Sequence, residues 1–212
     1  MNRKPITRVA CVCASFLLAG VFGLLASNGA QADTVPLPGV MGSVLDVEID
    51  GTFDFVQEAM VMGLAFVAGR QDQRTITEFD LSLVPAGATI VNATFLARTF
   101  GSTGSENPDI EVYGYDGDGE LTLADGYETD ELQTTFVGML GEWVELDVTD
   151  LVGSLFGVDQ WVGLHFRNVT PGTSIEFDPN AGSNPRLIVE YGPPTPAAQT
   201  TWGRIKALHR GE

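Results

Sequence analysis

Apolar and polar residues alternate along most of the chain between residues 43 and 191. A period of two puts every second side chain on one face, which predicts β-strands. The pattern occurs in SVLDVEID, VMGLAFVAG, RTITEFDLS, TIVNATFLARTF, DIEVYGY, EWVELDVT, WVGLHFRN, TSIEFD and RLIVEY. Turn-forming clusters such as VPAGA and GSTGSENP separate these segments, and only DVTDLVGSLFG predicts a short helix. We therefore predict an all-β domain, an antiparallel β-sandwich of jelly-roll type with about nine or ten strands.

The first 32 residues have the pattern of a secretory signal peptide. Arg3, Lys4 and Arg8 precede a long apolar run, and the small-residue motif AQA ends at Ala32. We expect cleavage there, which leaves a secreted or cell-surface protein without stable membrane insertion. The folded domain is then residues 33–191.

A different composition follows the last predicted strand. Residues 192–200 are rich in proline and small residues, which predicts a linker. Residues 201–212 place Trp202, Ile205 and Leu208 at helical spacing among basic residues. This short basic amphipathic tail is either a frayed end or a tag for secretion or surface attachment.

Removal of the leader makes the composition more acidic. Both cysteines, Cys11 and Cys13, lie in the leader, as do three of the 11 Lys and Arg residues. The remaining 8 basic residues face 28 acidic ones, so the secreted chain has a formal charge of −20. Such a chain repels phosphate backbones and anionic bilayers, which excludes nucleic acid as an expected partner.

Three segments resemble one known domain family. FDLSLVPAGATIVNATFLART (79–99), VELDVTDLV (144–152) and SNPRLIVEY (183–191) occur in the order found in DNRLRE, or disaggregatase-related, domains. The resemblance implies a secreted β-sandwich attached to extracellular proteins, and some members of the family are carbohydrate-binding modules for acidic polysaccharides. The charge of this chain opposes an anionic polysaccharide unless cations bridge the two.

The segment YGYDGDGELTLADG (113–126) has the spacing of a calcium loop. Aligned on Gly119, it puts Asp116, Asp118 and Asp125 at the third, fifth and twelfth positions of an EF-hand-like loop. The first position is Gly114, and a predicted strand precedes the loop where an EF-hand has a helix. The Tyr115 carbonyl, Glu120 or water could supply the missing oxygen. The alternative is a tight acidic turn whose carboxylates bind local backbone amides.

Strand alternation also predicts an aromatic outer face. The residues placed opposite the apolar positions of three strands include Trp143, Trp161, Tyr113, Tyr115, His165 and Arg167. If these strands are neighbours, rings and polar groups form one patch suited to stacking and hydrogen bonding with sugars. The alternative is that loops cover this face.

These residues suggest two functions and argue against catalysis. The chain has no Gly-x-Ser-x-Gly elbow and no His-Glu-x-x-His motif, and its predicted domain holds a single histidine. We therefore expect a non-catalytic module that binds an extracellular polysaccharide or cell-surface glycan, with calcium as a candidate cofactor. The alternative is a structural or adhesive protein of the cell surface or matrix that associates with copies of itself.

Overall fold

The computed structural model describes residues 31–58, 71–104, 107–128, 131–178, 180, 182 and 185–194. The predicted signal peptide up to residue 30, the strand at 61–69, the linker from residue 195 and the basic tail lie outside the described residues. Within the described part of the chain, no helix is both long and apolar enough to span a membrane.

Ten strands and one α-helix make up the described part of the chain. The strands are β1 (Asp33–Asp46), β2 (Phe55–Glu58), β3 (Asp72–Asp80), β4 (Thr89–Thr103), β5 (Asp109–Gly117), β6 (Glu131–Val137), β7 (Trp143–Asp147), β8 (Trp161–Asn168), β9 (Ser174–Phe177) and β10 (Arg186–Gly192). The helix α1 spans Thr149–Leu155, and short 3-10 helices span Leu81–Leu83 and Ala124–Tyr127. The fold is therefore all-β.

The strands form one curled antiparallel sheet in the order β6-β5-β8-β3-β1-β10-β4-β7. Strand β1 contributes to both halves of this sheet, because its residues 33–38 pair with β10 whereas its residues 39–46 pair with β3. We call β10, β4, β7 and the first half of β1 layer A, and β3, β8, β5, β6 and the second half of β1 layer B. Gly39 lies where β1 passes between them, and a Cβ there would come within 2.7 Å of the Phe79 ring.

The main core fills the space between the two layers. Phe95 of layer A contacts Phe166 and Phe79 of layer B, with ring centroids 5.0 and 6.2 Å apart. Phe177 of β9 packs against both Phe95 and Phe166. The alternation predicted from the sequence therefore assigns the inward side chains of β5, β7 and β8 correctly.

A second, smaller apolar cluster lies on the outer face of layer B. It consists of Val44, Phe53, Ile76 and Leu121, with Val56 partly buried against it. Leu121 comes from the segment after β5, so this segment folds back across the sheet. The outer face of layer B is consequently not open to solvent where this cluster lies.

The structure confirms the all-β antiparallel fold and the position of the helix, and it adds strands that alternation did not reveal. The start of β1 contains Pro36 and Pro38, and β2 and β6 are short edge segments of mixed polarity. The segment SVLDVEID was expected to continue as a strand to residue 50, but β1 ends at Asp46. There the Asp46 carboxylate accepts hydrogen bonds from the amides of Asp50 and Gly51, which turns the chain.

Candidate functional site

The acidic segment after β5 forms a cover over layer B. Polar contacts hold residues 117–128, which we call the acidic cover, against β3, β8 and the connection between β1 and β2. Arg74 donates from Nη1 to the Gly126 carbonyl at 2.8 Å, and the Phe53 amide donates to the Tyr127 hydroxyl at 2.7 Å. His165 Nδ1 lies 2.7 Å from the Glu128 carbonyl.

Two glycines allow the acidic cover to approach the sheet. A Cβ at Gly117 would come within 2.7 Å of the Glu78 carboxyl carbon, and one at Gly119 would meet the Trp161 ring at 2.7 Å. Gly119 also has φ +89°, a conformation that side chains disfavour. The Asp-Gly-Asp-Gly sequence therefore fits the close approach of this turn to Glu78 and Trp161.

The predicted metal ligands of the loop are used mainly in local turns. Asp118 Oδ1 accepts from the Glu120 amide at 2.8 Å, and Asp125 Oδ2 accepts from the Thr122 amide at 2.6 Å. Asp116 and Glu120 are exposed. Within the described residues, no group of three or more His, Cys, Asp or Glu side chains is arranged to hold a metal ion. The local geometry is that of the acidic turn, and calcium binding stays a prediction.

The acidic cover encloses a glutamate that the loop motif did not indicate. Glu78 of β3 is fully buried, and its Oε2 accepts from the amides of Asp118 at 3.1 Å and Gly119 at 2.5 Å. Burial raises the pKa of Glu78, and the nearby negative charges of Asp125 and Asp118 raise it further. Glu78 was missed because its contact with the acidic cover joins segments some forty residues apart.

The predicted aromatic face is correctly oriented but largely covered. Strands β5 and β8 are neighbours, and Tyr113 pairs with His165 on the outer face of layer B. Tyr113 is 9% exposed, Tyr115 is 6% exposed and His165 is fully buried. The expectation that these three side chains lie open to a ligand is therefore wrong, because the acidic cover and its neighbours close over the face.

The buried His165 is held as a neutral base. The Glu128 carbonyl can only accept a hydrogen bond, so Nδ1 carries the proton and Nε2 does not. Burial lowers the pKa of His165 to about 4, and the positive charges of Arg74 and Arg167 contribute to this shift. His165 Nε2 has no hydrogen-bond partner among the described residues.

The other predicted ligand residues do not share one patch. Trp161 is half-buried against Gly119, and Arg167 lies at 3.7 Å from Glu111. Trp143 lies on β7 in layer A, because β7 pairs with β4 and not with β5 or β8 within the described sheet. The strands of the predicted patch are therefore divided between the two layers.

Trp143 instead belongs to an open surface on layer A. Trp143 is 47% exposed, and Arg98 is its partner across the β4–β7 ladder. The Arg186 guanidinium lies over the ring, 5.7 Å from its centroid. Leu96 of β4 pairs with Arg186 of β10 on one side and with Glu145 of β7 on the other. We call Trp143, Arg98, Arg186, Leu96 and Glu145 the Trp143 platform.

The two arginines of the Trp143 platform differ from the other described arginines. Arg74 and Arg167 form ion pairs with Asp72 and Glu111. Arg98 donates to the Gly141 carbonyl at 3.2 Å and Arg186 to the Gly182 carbonyl at 3.1 Å. Neither arginine has an ion pair with a carboxylate among the described residues. With Glu145, the platform therefore carries two positive charges and one negative charge.

Two clefts lie away from this platform. One of about 410 Å³ opens at the β5–β6 edge between Glu111, Phe136 and Val169. Another of about 210 Å³ lies where Tyr115 and Asp116 face Glu131 and α1. The first contains none of the predicted ligand residues, and the second is lined by carboxylates, which disfavours an anionic ligand.

Comparison with known proteins returns neither a matching family model nor a matching curated protein. The resemblance to DNRLRE domains accordingly stays a prediction from the three sequence segments.

Proposed function

We propose that the protein is a secreted, non-catalytic β-sandwich module that binds an extracellular polysaccharide or cell-surface glycan through the Trp143 platform. The observation that carries this proposal is the exposed Trp143 ring flanked by two arginines without carboxylate partners. A sheet face with one exposed aromatic ring suits an extended chain of sugars. The apolar face of a pyranose stacks on the indole while polar groups beside it bind hydroxyls.

The arginines favour a sugar that carries a carboxylate or sulfate. A guanidinium binds such groups through two parallel hydrogen bonds. Arg98 is opposite Trp143 in the β4–β7 ladder, and the Arg186 guanidinium lies over the ring. The overall charge of the chain opposes an anionic ligand, but charges farther away than about 10 Å are largely screened at 0.1 M salt. Local positive charge can therefore dominate at the platform, and no bridging cation is needed.

Retardation of the protein in gels that contain a polyuronate or a neutral β-glucan tests this proposal. We expect Trp143→Ala to weaken retention about tenfold, which corresponds to about 1.4 kcal/mol. Phe55→Ala is the matched control, because Phe55 is 46% exposed on β2, which pairs with the half of β1 that belongs to layer B. Both variants should melt close to the parent protein. Equal retention of the parent and Trp143→Ala on every glycan tested would contradict the proposal.

Replacing the arginines tests whether they recognise the acidic group of the sugar or only help to shape the platform. We expect Arg98→Gln and Arg186→Gln to weaken binding to the polyuronate and to leave any binding to the neutral glucan nearly unchanged. If both glycans lose affinity equally, the arginines shape the platform and do not recognise the acidic group.

The second candidate is a structural or adhesive role at the cell surface. Its specific support is that the acidic cover fills much of the outer face of layer B, while the described sheet ends in the edge strands β6 and β7. Free strand edges can pair with another copy of the chain. Sedimentation analysis over a wide concentration range tests this role. Concentration-dependent assembly without glycan retention would favour it over the first candidate.

A further inference from the structure

A second exposed aromatic ring lies on β4 near the Trp143 platform. Phe100 is 55% exposed, and it follows Arg98 by two residues on the same strand. The neighbouring Ala97 and Thr99 are buried, so the exposed side chains of this part of β4 lie on the outer face of layer A. Phe100 is therefore the next outward side chain after Arg98.

The β4–β7 ladder brings this ring close to Trp143. Arg98 is opposite Trp143 in the ladder. The Thr99 amide donates to the Glu142 carbonyl at 2.9 Å, so the two segments remain hydrogen-bonded one residue past this pair. Phe100 is then a diagonal neighbour of Trp143. Diagonal neighbours in an antiparallel ladder are about 7–8 Å apart, within reach of aromatic side chains. The two rings can therefore contact one extended ligand.

A β-bulge places a carboxylate beside Phe100. The pairing of β4 with β9 shifts register after Thr99, so that Phe100 and Gly101 together are opposite Glu176. The flanking residues of β9 are in the main core, which puts the Glu176 side chain on the outer face. A Cβ at Gly101 would come within 2.6 Å of Glu176 Oε2. The glycine therefore leaves room for the carboxylate next to Phe100.

The two rings differ in the charge of their surroundings. The Trp143 platform has two positive charges and one negative charge, whereas the bulge places the Glu176 carboxylate beside Phe100. A guanidinium favours an acidic group on a ligand. A carboxylate disfavours an acidic group but accepts hydrogen bonds from hydroxyls. The charge pattern along β4 therefore matches a glycan in which a neutral sugar lies next to an acidic one.

We propose that Phe100 and Glu176 form a second subsite, which binds a neutral sugar next to the acidic sugar bound at the Trp143 platform. This inference rests on the proposed function and narrows its ligand to a chain that contains both kinds of sugar side by side. The neutral ring stacks its apolar face on Phe100 and donates a hydroxyl hydrogen bond to Glu176. Glu176 discriminates against a second acidic group at this position, because like charges repel.

Calorimetry with three soluble glycans tests the second subsite. Hyaluronan alternates a uronic acid with a neutral sugar, polygalacturonate contains uronic acids, and a β-glucan is neutral throughout. We expect the protein to bind hyaluronan most tightly. Phe100→Ala should weaken this binding about fivefold, which is within the range of one aromatic contact. Leu83→Ala is the matched control, because Leu83 is also 55% exposed but lies on the 3-10 helix after β3.

Glu176→Gln tests the charge discrimination without removing the ring. The variant keeps a hydrogen-bond acceptor but loses the negative charge that repels a second acidic sugar. We expect polygalacturonate to bind this variant about fivefold more tightly than it binds the parent protein, and the affinity for hyaluronan to change little. The preference for the alternating glycan should therefore be lost.

The variants distinguish failure of the second subsite from failure of the proposed function. Weaker binding in Trp143→Ala with unchanged binding in Phe100→Ala and Glu176→Gln would overturn the second subsite and keep the proposed function. No binding of any glycan by the parent protein would contradict both. If Phe100→Ala changes only the sedimentation of the protein, the ring is a contact between copies of the chain, and the second subsite is overturned.

Discussion

Glycines decide how closely the acidic cover can approach layer B. Gly117 lies beside Glu78 and Gly119 lies against Trp161, and both contacts are too close for a Cβ. In a packed environment an added methyl group must displace its neighbours or strain the backbone. These residues therefore have a structural role whether or not the acidic cover binds calcium.

We expect Gly117→Ala to lower the free energy of unfolding by about 1–3 kcal/mol, because the new methyl group would overlap the buried Glu78 carboxylate. Urea denaturation measures the change. Gly153→Ala in α1 is the control, since a Cβ there would meet nothing within 4 Å and alanine favours a helix. Equal stability of Gly117→Ala and the parent protein would mean that the turn does not pack on Glu78 in solution.

His165 makes stability depend on pH. Its pKa is about 4 in the folded protein against 6.5 for a free side chain, so the unfolded chain binds a proton more readily between these values. The stability associated with neutral His165 is complete above pH 6.5 and falls as the pH decreases toward 4. At about 1.4 kcal/mol per pH unit, the loss reaches about 3 kcal/mol.

His165→Asn isolates this effect, because the Asn amide can still donate to the Glu128 carbonyl. The raised pKa values of Glu78 and Asp125 act in the opposite direction, since the folded state then holds protons more tightly. Both carboxyl groups remain in the variant. We expect the free energy of unfolding to fall less between pH 7 and pH 4.5 in His165→Asn than in the parent. Equal slopes in urea titrations would show that His165 is not buried as a neutral base.

At the scale of elements, the acidic cover depends on contacts that sequence patterns do not reveal. Alternation in RTITEFDLS predicted a strand where β3 lies, but it could not show that residues 117–128 cover the face that carries Arg74, Ile76 and Glu78. The same limit explains why Tyr113 and His165 were expected to be open. Alternation assigns a side chain to a face, whereas exposure depends on which distant segment packs there.

Arg74 connects the acidic cover to the sheet and gives an element-scale prediction. It donates to the Gly126 carbonyl, pairs with Asp72 at 2.9 Å and stacks on the Phe53 ring at 4.8 Å. We expect Arg74→Met to release the acidic cover, because buried backbone and carboxylate groups would lose their donor. Hydrogen exchange should accelerate in residues 121–128 more than in β4 and β10.

Arg98→Met is the control for this experiment, because Arg98 is exposed and contacts the Gly141 carbonyl in the opposite layer. It should leave exchange in the acidic cover unchanged. Uniform acceleration across both layers in Arg74→Met would instead show that the acidic cover and the core unfold as one unit.

At the scale of the whole molecule, the two layers have different surfaces. Layer B is closed by its own acidic cover, whereas layer A presents the Trp143 platform. The sequence predicted that Trp143 faces outward, and the burial pattern of β7 confirms it. It could not predict the grouping with Arg98 and Arg186, because their proximity depends on the register of β4 with β7 and β10.

The overall charge of the chain and the local charge of the Trp143 platform predict opposite effects of salt on the affinity for an acidic ligand. Repulsion from a chain with 28 acidic residues would weaken as salt increases, so binding would strengthen. Direct contacts with Arg98 and Arg186 would weaken with salt, so binding would decrease. Above about 0.1 M salt the Debye length falls below about 10 Å, and distant charges contribute little. We therefore expect affinity for a polyuronate to fall between 0.1 and 0.5 M sodium chloride, measured by calorimetry, and this salt dependence to be lost in Arg98→Gln/Arg186→Gln. A rise in affinity with salt would show that the net charge controls the encounter and would argue against an acidic glycan as the natural ligand.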